Sequence, residues 1–401
     1  MKLRLVASAG AIALQAAACG SSSKSTSTSS GASGSPTTAA ANGAPIKIAA
    51  LLPLTGPIAN KGMSDNLTLA ANEINAKGGV NGHKVEVSFY DTMDLTPQSG
   101  RVAMQKALAD NPTAVVGANI SGQVAAGTDL INQAGIPLLN IGADPSTDPG
   151  KQNGSDWYFR VAIRGDRQAE AMSQYVANTL HAKNVLIGHS TDLTSTDGAN
   201  YMQKDVTGMG VKATQTSWAP TATDLTNNAL AAKGMDALML VGYPAPEAQM
   251  IKTMRANGIM IPIIADYGAS SIVQGKLNTT AELAGTAFVG NCEPIATVDV
   301  NPAAKHYIDG MHSTFPGSYI YGFGYESVNL IAEAVKNSKG SLAPKDIKAG
   351  LAAIKDYQGV CGVMTADAQQ NFLHSMPVIS MENQTEMFKT LVDNLTGDYA
   401  S

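Results

Sequence analysis

From Ile46 onward, short runs rich in Val, Ile, Leu and Ala alternate with longer stretches whose apolar residues recur three or four positions apart. Consecutive apolar positions bounded by turn residues predict a strand buried on both faces, whereas recurrence at i, i+3 and i+4 predicts a helix with one buried face. Residues 46–52 therefore read as a strand, followed by the turn Pro53-Leu54-Thr55-Gly56-Pro57. The helix after it carries Leu67, Ala70, Ala71 and Ile74 on one face and is stopped by Gly78-Gly79. A strand at 85–90, a helix at 97–109 with Pro97 in its first turn, a strand at 114–117, a helix at 122–134 and a strand at 136–141 complete one α/β lobe.

A stretch rich in Gly, Asp, Ser and Pro at 142–156 interrupts the alternation, which resumes after Trp157-Tyr158-Phe159-Arg160-Val161. Ala169, Met172, Val176 and Leu180 line one helix face. Strands at 185–188, 237–242 and 262–265 are separated by helices at 201–208, 224–232 and 245–257. A strand-like run at 285–290, helices at 325–336 and 344–354, and a β-rich tail from Gly359 follow. The pattern predicts an α/β protein of two Rossmann-like lobes with mainly parallel sheets. Open α/β sheets bind ligands outside the carboxyl ends of their strands, so two facing lobes place one site between them.

The first 45 residues follow a different logic. Lys2 and Arg4 give a positive start, residues 5–14 an apolar stretch, and Ala16-Ala17-Ala18 a row of small residues before Cys19, the pattern of an export signal over 1–18. Cys19 in that setting resembles a bacterial lipobox cysteine, which receives a diacylglycerol and becomes the new N-terminus. Ala16 stands where Leu is usual, and an ordinary secretory signal is the alternative. Residues 20–45 are almost entirely Ser, Thr, Gly, Ala and Pro, too poor in apolar surface to offset ordering entropy, and read as a flexible leash. No later run is long and apolar enough to span a bilayer, so the expected location is extracytoplasmic, tethered to the membrane only through an N-terminal lipid.

About 350 residues beyond the leash suffice for two lobes with buried cores. The net charge of −5 and the lack of any Lys/Arg cluster argue against a nucleic-acid partner. Cys292 and Cys361 are the remaining thiols, and in an exported chain a disulfide is favoured over two free cysteines. Enzyme signatures are weak. Ser121 lacks the Gly two positions earlier that a nucleophile elbow needs, and the six histidines show no metal-ligand spacing. Neither a metal nor a cofactor is expected. Ser121 follows a strand and precedes a helix, where it is either an N-cap or a donor to a carboxylate.

The block Asn72-Glu73-Ile74-Asn75-Ala76-Lys77-Gly78-Gly79-Val80-Asn81-Gly82, with Pro53-Leu54-Thr55-Gly56-Pro57 and Gly62, resembles the substrate-binding proteins of ABC importers for branched-chain amino acids. The likeness continues through Val116-Gly117, Ser121, Gly135-Ile136-Pro137 and Gly359-Val360-Cys361-Gly362-Val363. It implies a type I periplasmic-binding fold with three crossover strands, near Ala162, Asn291 and Thr365. Lobe 1 would be 46–162 plus 292–365 and lobe 2 163–291 plus 366–401. Cys292 and Cys361 then fall on neighbouring crossovers, where a disulfide would staple the hinge.

Carried onto this sequence, the resemblance makes Ser121 the carboxylate-binding hydroxyl and Gly142, with Ala143 beside it, the backbone donor. A second hydroxyl is replaced by Asp144, which repels a carboxylate at close range or turns away as a cap. On the second lobe it implies Tyr243 over the ligand, and Tyr267 where an acidic residue holds an amino group, with Asp266 one position early. A loop tyrosine after His189 has no counterpart; a longer loop there carries Thr194, Ser195, Thr196 and Asp197. Lys61 takes an aromatic position near the first turn, facing an anion or solvent, and Tyr321 matches a late aromatic wall. The implied function is solute binding for a membrane permease by a monomer, without catalysis. The solute is small and organic: amino-acid-like, an amide or a carboxylate. A ligand sensor and a secreted hydrolase using Ser121 are the alternatives.

Overall fold

Strand β1 (Ile46–Leu52) is apolar on consecutive positions because both its faces are covered: Ile46, Ile48, Ala50 and Leu52 enter one core, Ala49 and Leu51 another. The computed structural model describes residues 42–56, 59–318, 322–374 and 376–392, so Cys19 and Tyr321 lie outside the described residues. Helix α1 (Lys61–Ala76) begins where the Asn60 side chain accepts from the Gly62 amide at 3.0 Å. It ends before Gly78 and Gly79, whose φ of 95° and 80° only glycine adopts without strain. With β2 (Val85–Asp91), α2 (Pro97–Ala109), β3 (Ala114–Val116), α3 (Ser121–Ala126), α4 (Thr128–Ala134), β4 (Leu138–Asn140) and β5 (Tyr158–Arg160), it builds a parallel sheet in the order β2-β1-β3-β4-β5. The helix expected over 122–134 is in fact two, parted at Gly127, a residue of poor helix propensity.

The same winding recurs. Elements α5 (Gly165–Gln174), β6 (Asn184–Ser190), α6 (Leu193–Gly208), β7 (Lys212–Trp218), α7 (Thr226–Leu230), β8 (Ala237–Val241), α8 (Pro244–Ala256), β9 (Ile263–Ala265), α9 (Ser270–Gln274) and β10 (Thr286–Val289) place five parallel strands in the order β7-β6-β8-β9-β10. Each strand again feeds two cores: Val185 and Ile187 point to one, Leu186 to the other. Strand β7 escapes the hydrophobic pattern because it is an edge strand with mostly solvated side chains, only Trp218 being buried.

The chain then returns to the first core through α10 (Pro294–Thr297), α11 (Pro302–Thr314), α12 (Gly322–Asn337) and α13 (Pro344–Ala352), which contribute Tyr307, Phe323, Leu330 and Leu351. A small antiparallel sheet of β11 (Tyr357–Gly359), β12 (Gly362–Ala366) and β13 (Phe372–Leu373) follows, Phe372 packing in that first core. Finally β14 (Met376–Ser380) pairs antiparallel with β10, and β15 (Met387–Val392) with β14. The third passage between the sheets thus lies between Leu373 and Met376, later in the chain than Thr365. Cys292 and Cys361 are disulfide-bonded, their Cα atoms 4.5 Å apart. Among the described residues no helix is long and apolar enough to cross a membrane.

Candidate functional site

A cavity of about 520 Å³ opens between the two sheets. Asn60 follows β1, Leu95 follows β2, Asn119 to Ser121 follow β3 and Ala143 follows β4; Asp192, Gly242 with Tyr243, and Asp266 with Tyr267 follow β6, β8 and β9. All of them sit at carboxyl ends of parallel strands, where the diverging chain of a doubly wound sheet leaves a crevice.

Ser121 is the first residue of α3, buried to 2% exposure. The N-cap position belongs to Ile120, which makes no side-chain cap bond. The Ser121 hydroxyl instead accepts from the Asp144 amide at 3.2 Å, tying the β3 and β4 loops together. Gly142 packs so close that a Cβ there would lie 2.7 Å from Ser121 Oγ. The Gly142 amide donates to Asn140 Oδ1 at 2.8 Å and its carbonyl accepts from Arg160 Nη1, so Ala143, not Gly142, reaches the cavity wall.

Asp144 lies just behind that wall. Its Oδ1 accepts from the Ser146 amide at 2.7 Å, capping a single turn at Pro145–Thr147. Its Oδ2 has no hydrogen-bond partner among the described residues although the residue is only 1% exposed. Nearby cations are already committed: Arg160 donates to Asp148 Oδ1 at 2.6 Å and Arg164 Nε to Asp166 Oδ1 at 3.1 Å.

On the second sheet's side the wall is acidic. Asp192 caps α6, its Oδ1 accepting from the Ser195 amide at 3.1 Å while Oδ2 is buried without a partner among the described residues. Asp266 caps the turn at Tyr267–Ala269 through the Gly268 amide at 2.9 Å. Burial pushes its carboxyl up to about 7, the Asp192 charge adding to that while amide bonds from Gly268 and Gly242 oppose it. Behind it Glu247 is fully buried, with both oxygens unpartnered among the described residues, and burial followed by the Asp266 charge drives it well up. The Tyr243 and Tyr267 hydroxyls are raised chiefly by burial, Asp266 and Asp192 contributing to both. Tyr267 is held edge-on to Phe323, ring centroids 5.9 Å apart. Met63, Leu95, Ile120, Met202, Val241 and Leu277 supply the apolar lining.

The structure thus gathers Ser121, Ala143, Tyr243, Asp266 and Tyr267 around one cavity. Gly142, Asp144, Asp197 and Lys61 are not among its lining residues. Lys61 is turned away: its amine pairs with Asp65, sits 5.6 Å over the Phe315 ring and is 78% exposed. Asp197 lies in the second turn of α6, not in a long loop, and burial followed by the Asp144 charge raises its carboxyl. Asp192 was missed because the helix start was placed at 201; the signal was there in Asp192 followed three residues later by Ser195 ahead of an amphipathic run.

Residues 45–386 match the family model described as periplasmic binding protein. An amino acid binding protein of Pseudomonas aeruginosa is 29% identical over 53% of this chain, which spans 56% of that relative's length. A leucine-binding protein from Thermotoga maritima superposes with a TM-score of 0.78 at 20% identity, over 87% of this chain and 99% of that one. A solute-binding protein from R. palustris, solved with benzoate, gives 0.76 at 16% identity, over 88% and 99%. At these identities the two structures establish shared fold.

Proposed function

Since the chain belongs to the periplasmic binding protein family, we propose that it is the extracytoplasmic solute-binding lipoprotein of an ABC importer. It takes a small amino-acid-like, amide or carboxylated organic solute between its lobes and delivers it to membrane permease subunits as a monomer. The lobes are 46–162 with the helices and small sheet after Cys292, and 163–291 with the C-terminal hairpin. The observation that carries this reading is the single cavity whose walls come from the carboxyl ends of both sheets, Ser121 and Ala143 facing Tyr243, Asp266 and Tyr267. Such a site is complete only when two lobes meet, which is how a carrier encloses and releases a solute without chemistry. The proteins it matches are named for what they bind, amino acid and leucine among them, and this supports an amino-acid-like solute. Ser121, Ala143, Tyr243, Asp266 and Tyr267 are the proposed contacts; Asp144 and Asp197 act from behind the wall.

The test is a thermal-shift screen of the solute-free protein against a broad metabolite panel. A true solute at a hundred times its dissociation constant adds about 2.7 kcal/mol of stability. No shift with any organic solute sinks the reading. Anchoring is tested separately: Cys19→Ala should move the protein from the membrane fraction to the soluble one, and a variant that stays acylated and membrane-bound excludes the lipobox.

A further inference from the structure

We propose that the solute carries a net positive charge, as an amine or amino-amide without a free carboxylate, and that Asp192 and Asp266 hold its cationic nitrogen. This rests on the reading that the interlobe cavity is the solute site, and it narrows the solute class.

The charges around the cavity set the argument. Among the described residues the lining contains two carboxylates, Asp192 and Asp266, and no Lys, Arg or His. Both carboxylates cap helical turns with Oδ1, which fixes them in place. The Asp192 Oδ2 is left buried with no donor, and a buried carboxylate oxygen is stabilised only when a donor or cation reaches it. Glu247 stands behind Asp266, so no compensating cation comes from that side.

The opposite wall offers a carboxylate no cation among the lining residues. The Gly142 amide is taken by Asn140, and Ser121 Oγ, which accepts the Asp144 amide, keeps one O–H to donate. Directly behind is the Asp144 side chain, 1% exposed with Oδ2 unpartnered among the described residues. Its charge reaches Asp197 and Tyr201 on α6 across the cleft. Arg160, which donates to the Asp144 carbonyl, is paired with Asp148, and Arg164 with Asp166. An anionic end of a solute would therefore meet a cavity lined by carboxyl groups and no cation, whereas a neutral amide there can donate and accept. Tyr243 and Tyr267 flank the acidic end, and the face of a tyrosine ring attracts a cation.

A matched series separates charge from shape: L-leucinamide is a cation, L-leucine a zwitterion, and N-acetyl-L-leucine and benzoate are anions. Calorimetric titration of the full solute-free chain should show leucinamide binding at least tenfold tighter than leucine, with both anions silent. Asp192→Asn and Asp266→Asn each keep a competent cap, because Asn caps as well as Asp, so the fold is retained and its melting temperature verifies this. Each should weaken leucinamide ten- to a hundredfold. Leucine binding as tightly as leucinamide, either anion binding, or leucinamide affinity unchanged in both variants overturns the proposal while leaving the solute-binding reading intact. Silence of the whole series also overturns it, and the broad metabolite screen then decides whether the solute-binding reading falls as well.

Discussion

At the residue scale, Ser121 shows how one hydroxyl on the cavity wall serves packing. It satisfies the buried Asp144 amide and so holds the β4 loop against the β3 loop. Ser121→Ala leaves that amide without a partner, and an orphaned buried donor costs about 1–3 kcal/mol. Urea unfolding should register that loss even with no solute present; a variant as stable as the parent would mean that the Ser121 hydroxyl contributes nothing to the fold. Serine at a strand-to-helix junction was visible in the sequence, but its partner was not. The Asp144 amide lies 23 residues away along the chain and is brought to Ser121 only by adjacent parallel strands.

At the scale of elements, the disulfide joins the segment leaving β10 to the turn between β11 and β12, 69 residues apart. Closing a loop of that length in the unfolded chain stabilises the native state by about 4 kcal/mol in the chain-entropy model, and losses of about 2–5 kcal/mol are typical. Denaturant melts of the Cys292→Ala, Cys361→Ala double variant should show a loss in that range, and an unchanged midpoint would assign the bond no stabilising role. Strand β7 and the first half of α6 mark where pattern reading fails at this scale. An edge strand has too few buried residues to alternate visibly, and Leu193–Gly208 opens with polar residues.

At the scale of the molecule, the buried carboxylates make stability depend on pH. Asp266, Glu326 and Glu386 are each raised to about 7, burial being the first cause in all three. In the unfolded chain they lose their protons near pH 4, so between roughly pH 4 and 7 the native state binds more protons. Stability therefore falls as pH rises through that window. The carboxylates lowered by hydrogen bonds, Asp91 and Asp94 among them, gain their stabilisation below it and do not cancel the trend. Thermal melts of the solute-free protein should give a lower midpoint at pH 8 than at pH 5.5, with Glu326→Gln flattening the difference. A midpoint that rises with pH across this range would contradict the burial argument.

The alternation of strand and helix, the two lobes and the crevice at the strand ends followed from the sequence by itself, because period and turn residues are local properties that parallel sheets amplify. Ser121 was legible at a strand-to-helix junction, while Ala143, Tyr243, Asp266 and Tyr267 were named through the family resemblance; all five line the cavity. Direction was not legible. Lys61 turns to Asp65, the Gly142 amide turns to Asn140, and Asp144 stays behind the wall, because side-chain and amide orientation depend on neighbours supplied by other strands. The acidic character of the cavity is likewise tertiary: Asp192 and Asp266 are 74 positions apart in the sequence and share a wall only once β6, β8 and β9 lie side by side.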